Sequence, residues 1–317
     1  MTDQTPATVG IDISKAHLDV HELPSGRSAQ FANNADGFKD LAAWIAPGTR
    51  CIAYESTGRW HRALQEALAG TLPLACVNPM RVRRFAQALG QEAKTDAVAA
   101  RVLAMMAAAI KLRRTKEPSP IQRDLEELNT ARDALMRDRT AALNRSKHLR
   151  HKLLRRQNQL HLAQIERHLK ALDAEIRDLV DGDDELSRKV QVLASIPGIA
   201  RITAVGLLAG MPELGTMNGR AAASLAGLAP FTRESGKWKG YSFIGGGRRR
   251  VRQALYMASL SAINCNPDLA RQYESLRERG KPGKVALAAV MRRMLVLANL
   301  LVKQDRVWTP APPRALA

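Results

Sequence analysis

Acidic residues stand in this chain where acids are costly. Asp12 lies within TVGIDISKAHLDVHEL (Thr8 to Leu23), where Val9, Ile11 and Ile13 alternate with Gly10, Asp12 and Ser14. That period of two marks a strand, and Leu18 and Val20 alternating with Asp19 and His21 mark a second, antiparallel one after a turn at Ser14-Lys15. A carboxylate in an apolar strand must be solvated or neutralised by a cation. Gly10 leaves room beside it for something to approach the backbone. We read Asp12 as a metal ligand around which the chain gathers other carboxylates. Glu55 ends the short apolar strand Cys51–Tyr54, at the strand end where open α/β sheets place ligands. Asp96 opens a helix after Lys94 and Thr95; alone, it needs only to answer the helix dipole.

A second group of residues is built for phosphate. Arg81, Arg83 and Arg84 cluster on one helix, and Lys147, Arg150, Lys152, Arg155 and Arg156 crowd another. Gly245, Gly246 and Gly247 precede Arg248, Arg249, Arg250 and Arg252. Glycines allow close backbone approach, and arginines bind phosphate bidentately. Just upstream, Ser235 sits in a polar, basic loop with Lys237; by itself it is an ordinary Ser-Gly turn.

The formal charge is +19. Residues 1–80 hold 6 Lys+Arg against 8 Asp+Glu, and the remainder 43 against 22. An acidic catalytic module followed by a basic gripping module has this profile, and its partner is a polyanion, nucleic acid. Cys51, Cys76 and Cys265 are odd in number, lack metal-ligand spacing and fit a reducing cytoplasm. The N-terminus lacks the order of a signal peptide, and no apolar run is expected to reach membrane-spanning length.

The elements that must position these groups follow in order. Strands alternate with helices through residue 117, predicting a mixed sheet flanked by helices. Pro118 and Pro120 mark a boundary. Ile121 to Asp181 contains neither Gly nor Pro and carries heptads, with Leu162, Leu169 and Ile176 beside Ile165, Leu172 and Leu179. One unbroken helix would span about 90 Å; a pair folded back near Arg155–Gln159 is the alternative. Val192–Leu208 reads as two helices around Ile196-Pro197-Gly198-Ile199, similar to a helix-hairpin-helix. Val251–Ile263 and Val285–Val302 are amphipathic helices, and the tail from Pro310 reads as disordered.

Asp12, Glu55 and Asp96 match the order of carboxylates in ribonuclease-H-like nucleases, whose Mg²⁺ activates a hydroxyl or water and stabilises the leaving oxygen. Magnesium wants oxygen ligands, which these residues supply. The motifs go further. GIDISKAHLDV, YESTGRW, VNPMRVRRFAQALG and KTDAVAARVLA resemble the N-terminal RuvC-like domain of the DEDD transposases of bacterial insertion sequences, the "IS one-ten" family. LASIPGIARITA, SLAGLAPFTRESGKWKG and IGGGRRRVRQALYMA resemble that family's C-terminal domain.

The resemblance implies a RuvC-like domain over 1–117, a helical coiled-coil segment over 118–182, a C-terminal transposase domain over 183–305 and a tail over 306–317. It implies a recombinase guided by a structured bridge RNA that pairs with donor and target DNA, working as a dimer or tetramer in the bacterial cytoplasm at the nucleoid, without a membrane. It places the family's acids on Asp12, Glu55 and Asp96 and its nucleophilic serine on Ser235, with Ser242 second. Lys94, Lys237 and the arginines at 81, 83, 84, 248, 249, 250 and 252 would grip nucleic acid. The family's fourth acid falls on Ala99, which cannot coordinate; an otherwise intact motif favours deliberate inactivation over decay. The competing readings are a RuvC-type nuclease using water and a non-catalytic nucleic-acid-binding protein. A tyrosine recombinase is disfavoured, because Tyr241 and Tyr256 lack an Arg/His constellation.

Overall fold

The computed structural model describes residues 6–56, 58, 60–91, 96–115, 117–232, 234–235, 238–240 and 242–310. The chain divides into two compact units, Met1–Pro118 and Ser119–Ala317.

The first unit contains β1 (Thr8–Ile13), β2 (His17–Leu23), β3 (Ser28–Ala32), α1 (Ala35–Trp44), β4 (Cys51–Glu55), α2 (His61–Leu68), β5 (Leu74–Val77), α3 (Pro79–Ala88) and α4 (Asp96–Ala109). The strands form one sheet in the order β3-β2-β1-β4-β5. β1, β2 and β3 pair antiparallel, whereas β1, β4 and β5 run parallel. Alternation sorts the side chains. Val9, Ile11, Ile13, Ile52 and Tyr54 pack with Phe38, Leu41, Leu64 and Leu68 of α1 and α2. Ala53, Ala75 and Val77 pack with Val82 of α3 and with Val102, Leu103 and Met106 of α4. The edge strand β3 has no counterpart in the sequence reading, because only Phe31 and its alanine neighbours hint at its alternation.

Gly10 does have a close neighbour, and it is α4. A Cβ on Gly10 would stand 2.0 Å from the Ala100 carbonyl oxygen and 2.4 Å from the Ala104 nitrogen. Thr8 Oγ1 donates to the Ala104 carbonyl at 3.2 Å. The Arg50 guanidinium donates to the carbonyls of Ala107 and Ala108, at 2.7 and 2.9 Å, satisfying acceptors that a helix end leaves open. Contacts run backward along α4 as they run forward along β1. The helix is therefore antiparallel to the strand, and its first turn lies over the strand's C-terminal end.

The second unit contains α5 (Pro120–Ser146), α6 (Lys152–Asp181), α7 (Asp184–Ala194), α8 (Arg201–Gly210), α9 (Gly219–Leu225), β6 (Pro230–Phe231), β7 (Glu234–Ser235), β8 (Trp238–Lys239), β9 (Phe243–Ile244), α10 (Arg249–Cys265), α11 (Pro267–Glu278) and α12 (Gly283–Lys303). The segment without Gly or Pro is a folded-back pair, α5 on α6, turning at 147–151 rather than near 155–159. Ser119 caps α5 by accepting from the Gln122 amide. Ion pairs Arg132–Asp173 at 2.6 Å and Arg139–Glu166 at 2.5 Å cross the pair, and Asn158 Nδ2 donates to the Ala142 carbonyl at 3.1 Å. The turn gathers the exposed Lys147, Arg150, Lys152, Arg155 and Arg156 at one tip.

The helices α7 to α12 enclose a common core that includes Leu193, Ile196, Leu207, Leu255, Met294 and Leu295. Contrary to the sequence reading, one run does reach spanning length: α12 is long and apolar enough to cross a membrane by composition, but half of its apolar stretch is buried in this core. The turn between α7 and α8 is also committed inward. Gly198 has φ +102°, and a Cβ there would lie 2.5 Å from that of Ala262 in α10.

Gly10→Ala is expected to push α4 off the sheet and destabilise the first unit by about 1–3 kcal/mol, the usual scale of overpacking. Equilibrium urea unfolding of the full chain measures this. An unchanged midpoint would mean that the close approach carries no weight.

Candidate active site

Asp12 and Glu55 stand at the ends of neighbouring strands at one edge of the sheet, and Asp96 opens the helix that packs over it. Asp12 and Glu55 belong to parallel neighbours β1 and β4, whose ladder ends at Ile11↔Tyr54. One further step sets Asp12 beside Glu55, on the α4 face. Two residues of strand advance about 6.6 Å and one helical turn about 5.4 Å. Gly10 meets α4 at Ala100, so the partly buried Asp12 lies below the turn that begins at Asp96. Electrostatics report the same convergence. Burial first, and then the charges of Asp96, Glu55 and Asp19, push the Asp12 carboxyl up to about 6 against a smaller lowering by the Ile13 amide.

Asp19 was missed as a site residue. It pairs directly across from Asp12 in the antiparallel ladder, so their side chains share a face with Cβ atoms about 5 Å apart. Like charges directly opposite are destabilising. The signal was in the sequence: Asp19 lies between the inward Leu18 and Val20, as Asp12 lies between Ile11 and Ile13. Gln30 Nε2 donates to Asp19 Oδ1 at 2.9 Å and orients it. Ala99, where the fourth acid was expected, is partly buried on α4 three residues after Asp96.

The donors converge without forming a closed cage. Among the described residues, no three His, Cys, Asp or Glu side chains stand close enough to hold one ion together. Asp12 and Glu55 offer carboxylate oxygens, and Mg²⁺ takes one or two of these beside waters and substrate phosphates. The set is all oxygen, the donor type such an ion requires, and a bound cation would favour the ionised form of Asp12.

The basic residues fall into two kinds. Arg81, Arg83 and Arg84 are exposed on α3, whose Val82 is buried. This helix starts just after β5, at the same edge as the acids. In the second unit, Arg248 is committed inward: its guanidinium donates to both Glu213 carboxylate oxygens, at 2.5 and 2.7 Å, and to the Gly210 carbonyl. Arg252 donates to the Gly246 carbonyl at 2.6 Å. Arg250 donates to Thr130 Oγ1 at 2.7 Å. Of the glycine run, Gly247 packs on protein, since a Cβ there would stand 2.2 Å from the Gly227 nitrogen, while Gly246 faces open space. Arg249 is exposed. Lys94 and Lys237 lie outside the described residues.

Ser235 is exposed on β7, which pairs with β8 in the register Ser235↔Trp238. Outside this pair, β6 and β9 form a second antiparallel rung, with Phe231 and Phe243 stacked at 5.5 Å. The serine thus sits near the end of a narrow β-arm. Ser242 is also exposed, just before β9.

A transposase family model, that of the IS110 DEDD transposases, matches residues 9–153 and so spans the acids. A second, described as the transposase IS116/IS110/IS902 family, matches residues 190–274 and so spans Ser235 and the arginines. The chain is 27% identical to the pilin gene-inverting protein of Moraxella bovis, over 94% of this chain and 96% of that protein. It is 31% identical to the IS116 insertion-element protein of Streptomyces clavuligerus, over 48% of this chain and 38% of that one. The IS110 insertion-element protein of Streptomyces coelicolor is 30% identical over 48% of this chain and 37% of its own length.

The acids and arginines give two predictions. A folded Asp12 that keeps its proton to about pH 6, against an ordinary 3.8, favours the fold at low pH and loses that contribution as pH rises through 6. In EDTA at pH 8, Asp12→Asn is therefore expected to melt above the parent, with the gap closing toward pH 4 in thermal scans. A parent at least as stable at pH 8 would contradict the crowding of charge. Arg248→Met is expected to destabilise the second unit by about 1–2 kcal/mol, because it removes two charge-assisted hydrogen bonds to the partly buried Glu213 carboxylate. Arg249→Ala should leave stability unchanged and weaken nucleic-acid binding; urea titration beside filter binding separates the two.

Proposed function

We propose that the chain is a DNA transposase/recombinase of the IS110 type, which its matches to two transposase family models and to the Moraxella and Streptomyces proteins support, and that it moves an insertion sequence by cutting and rejoining DNA under the guidance of a structured bridge RNA. What supports the reading is the β1–β4 register that sets Asp12 beside Glu55, with the charge of Asp96 near enough to raise the Asp12 carboxyl. Asp12 and Glu55 would hold Mg²⁺, with Asp96 and Asp19 completing its charge balance. Asp19 supplies the carboxylate that Ala99 cannot. When bound, the metal polarises the scissile phosphate and offsets the charge that develops on it.

Ser235 is the nucleophile in this reading. Its hydroxyl loses a proton as the Oγ–P bond forms and the bond from phosphorus to one strand oxygen breaks. The freed oxygen takes up a proton, and attack on the phosphoserine by a strand hydroxyl reverses these changes and rejoins DNA. A narrow arm that exposes Ser235 suits a nucleophile delivered to a bulky substrate. The name of the Moraxella relative, a protein that inverts a gene, suits rejoining better than one-way hydrolysis. Arg81, Arg83, Arg84 and Arg249 grip phosphate backbone; Arg248, Arg250 and Arg252 brace the fold that carries Arg249. The protein acts as a dimer or tetramer in the bacterial cytoplasm, at the nucleoid.

Ala99 favours a second reading, a binding protein without catalysis. One experiment separates the readings. The parent, Ala99→Asp and Ser235→Ala are incubated with Mg²⁺, donor and target DNA and the RNA recovered with the protein, then run on denaturing gels. A protein–DNA adduct in the parent, more of it in Ala99→Asp and none in Ser235→Ala is expected. An adduct that survives Ser235→Ala removes the serine assignment; strand cleavage without any adduct favours attack by water. No cleavage, even with aspartate restored at position 99, leaves the binding protein.

A further inference from the structure

We infer that Trp60 and Lys15 form a landing place for one unpaired nucleotide of the DNA strand cut at the acid site, with its base stacked on the Trp60 indole and its phosphate paired with the Lys15 ammonium. The inference rests on the reading of that acid site as the place where DNA is cut.

Both residues stand at the edge that carries the acids. Lys15 lies three residues beyond Asp12, in the turn after β1, and Trp60 lies five beyond Glu55, at the start of α2. The two segments are stapled together. Asn33 Nδ2 donates to the Ser14 carbonyl at 2.8 Å and to the Trp60 carbonyl at 3.3 Å. The start of α2 is fixed from below as well, because the Tyr54 hydroxyl donates to Gln65 Oε1 at 3.0 Å and its ring lies against His61. Trp60 is thus an exposed aromatic on a rigid base, with 39% of its surface open to solvent. Lys15 Nζ sits over its ring, 5.8 Å from the centroid.

The same unit contains a structural pair for contrast. Arg27 lies over the Trp44 ring at 4.5 Å. There the cation is bolted by an ion pair to Glu22 at 2.7 Å, and Trp44 packs against the core. Lys15 is exposed, with no hydrogen bond or ion pair among the described residues. Its contact with Trp60 is a weak, solvated cation–π pair, and base stacking on an indole outweighs it. An incoming base can therefore displace the ammonium. The flexible stem of lysine lets the charge follow to the phosphate. Such a cation also has work here, since a phosphate drawn toward several carboxylates needs positive charge on its flank.

The test uses the full chain with Ca²⁺ in place of Mg²⁺ and single-stranded DNA carrying 2-aminopurine at successive positions. The parent is expected to quench one position most strongly. Trp60→Ala should abolish that quench and weaken binding about 5- to 160-fold, the range for losing one stacked base; Trp60→Phe should keep most of both. Lys15→Ala should flatten the dependence of log affinity on log salt by about 0.7, one phosphate contact on a single strand. The inference fails if Trp60→Ala and Trp60→Leu keep the position-specific quench, if the Lys15→Ala slope equals the parent's, or if only an RNA oligonucleotide is quenched. Failure of the underlying reading looks different: Asp12→Asn would then cleave DNA in Mg²⁺ as well as the parent does, whatever happens at Trp60.

Discussion

The contact between α4 and β1 decides where Asp96 stands relative to the acids of the sheet. Gly10 has no side chain, so the helix backbone settles directly on the strand, with the Ala100 carbonyl where a Cβ would have been. Thr8 and Arg50 then fix the helix along its length by bonding the Ala104, Ala107 and Ala108 carbonyls. With depth and direction both set, the first turn of α4 has one place to be, above the end of β1. Asp96 is thereby added to acids that the sheet register had already brought together.

This convergence opposes stability, and the opposition is informative. Two aspartates face each other across β1 and β2, a third acid stands on the parallel neighbour, and burial adds its own penalty on Asp12. A fold with no use for such a cluster would gain by replacing any member with an amide. An all-oxygen set under strain from its own charge is poised for a hard cation, which relieves the repulsion that the backbone enforces.

Positive charge is organised by a different rule. The arginine-rich stretch after the glycine run looks uniform as a sequence, yet its members divide by geometry. Arg248 is tied to Glu213, Arg252 holds the Gly246 carbonyl, and Arg249 is exposed. A guanidinium with its fork already filled is a strut, and one with an open fork is a hand. Trp60 and Trp44 show the same distinction among aromatics: both carry a cation over the ring, and among the described residues only Arg27 is also ion-paired.

Much of the site was legible before any coordinates. Alternation about Asp12 fixed it in a strand, the run Cys51–Tyr54 put Glu55 at a strand's end, and Asp96 opened a helix; each rests on local periodicity, which a sequence records directly. The same periodicity put Asp19 on the face of Asp12, although it was not read that way. Other features could not be read locally. Which neighbour needed Gly10 to be small, which arginines were spent inside the fold, and where the long helical segment turned back all depend on groups distant along the chain. Lys15 and Trp60 meet for the same reason, through Asn33. A sequence states what each residue can do; tertiary structure decides which of its possible partners is within reach, because hydrogen bonds, stacking and charge pairing act over a few ångströms of space and take no account of separation along the chain.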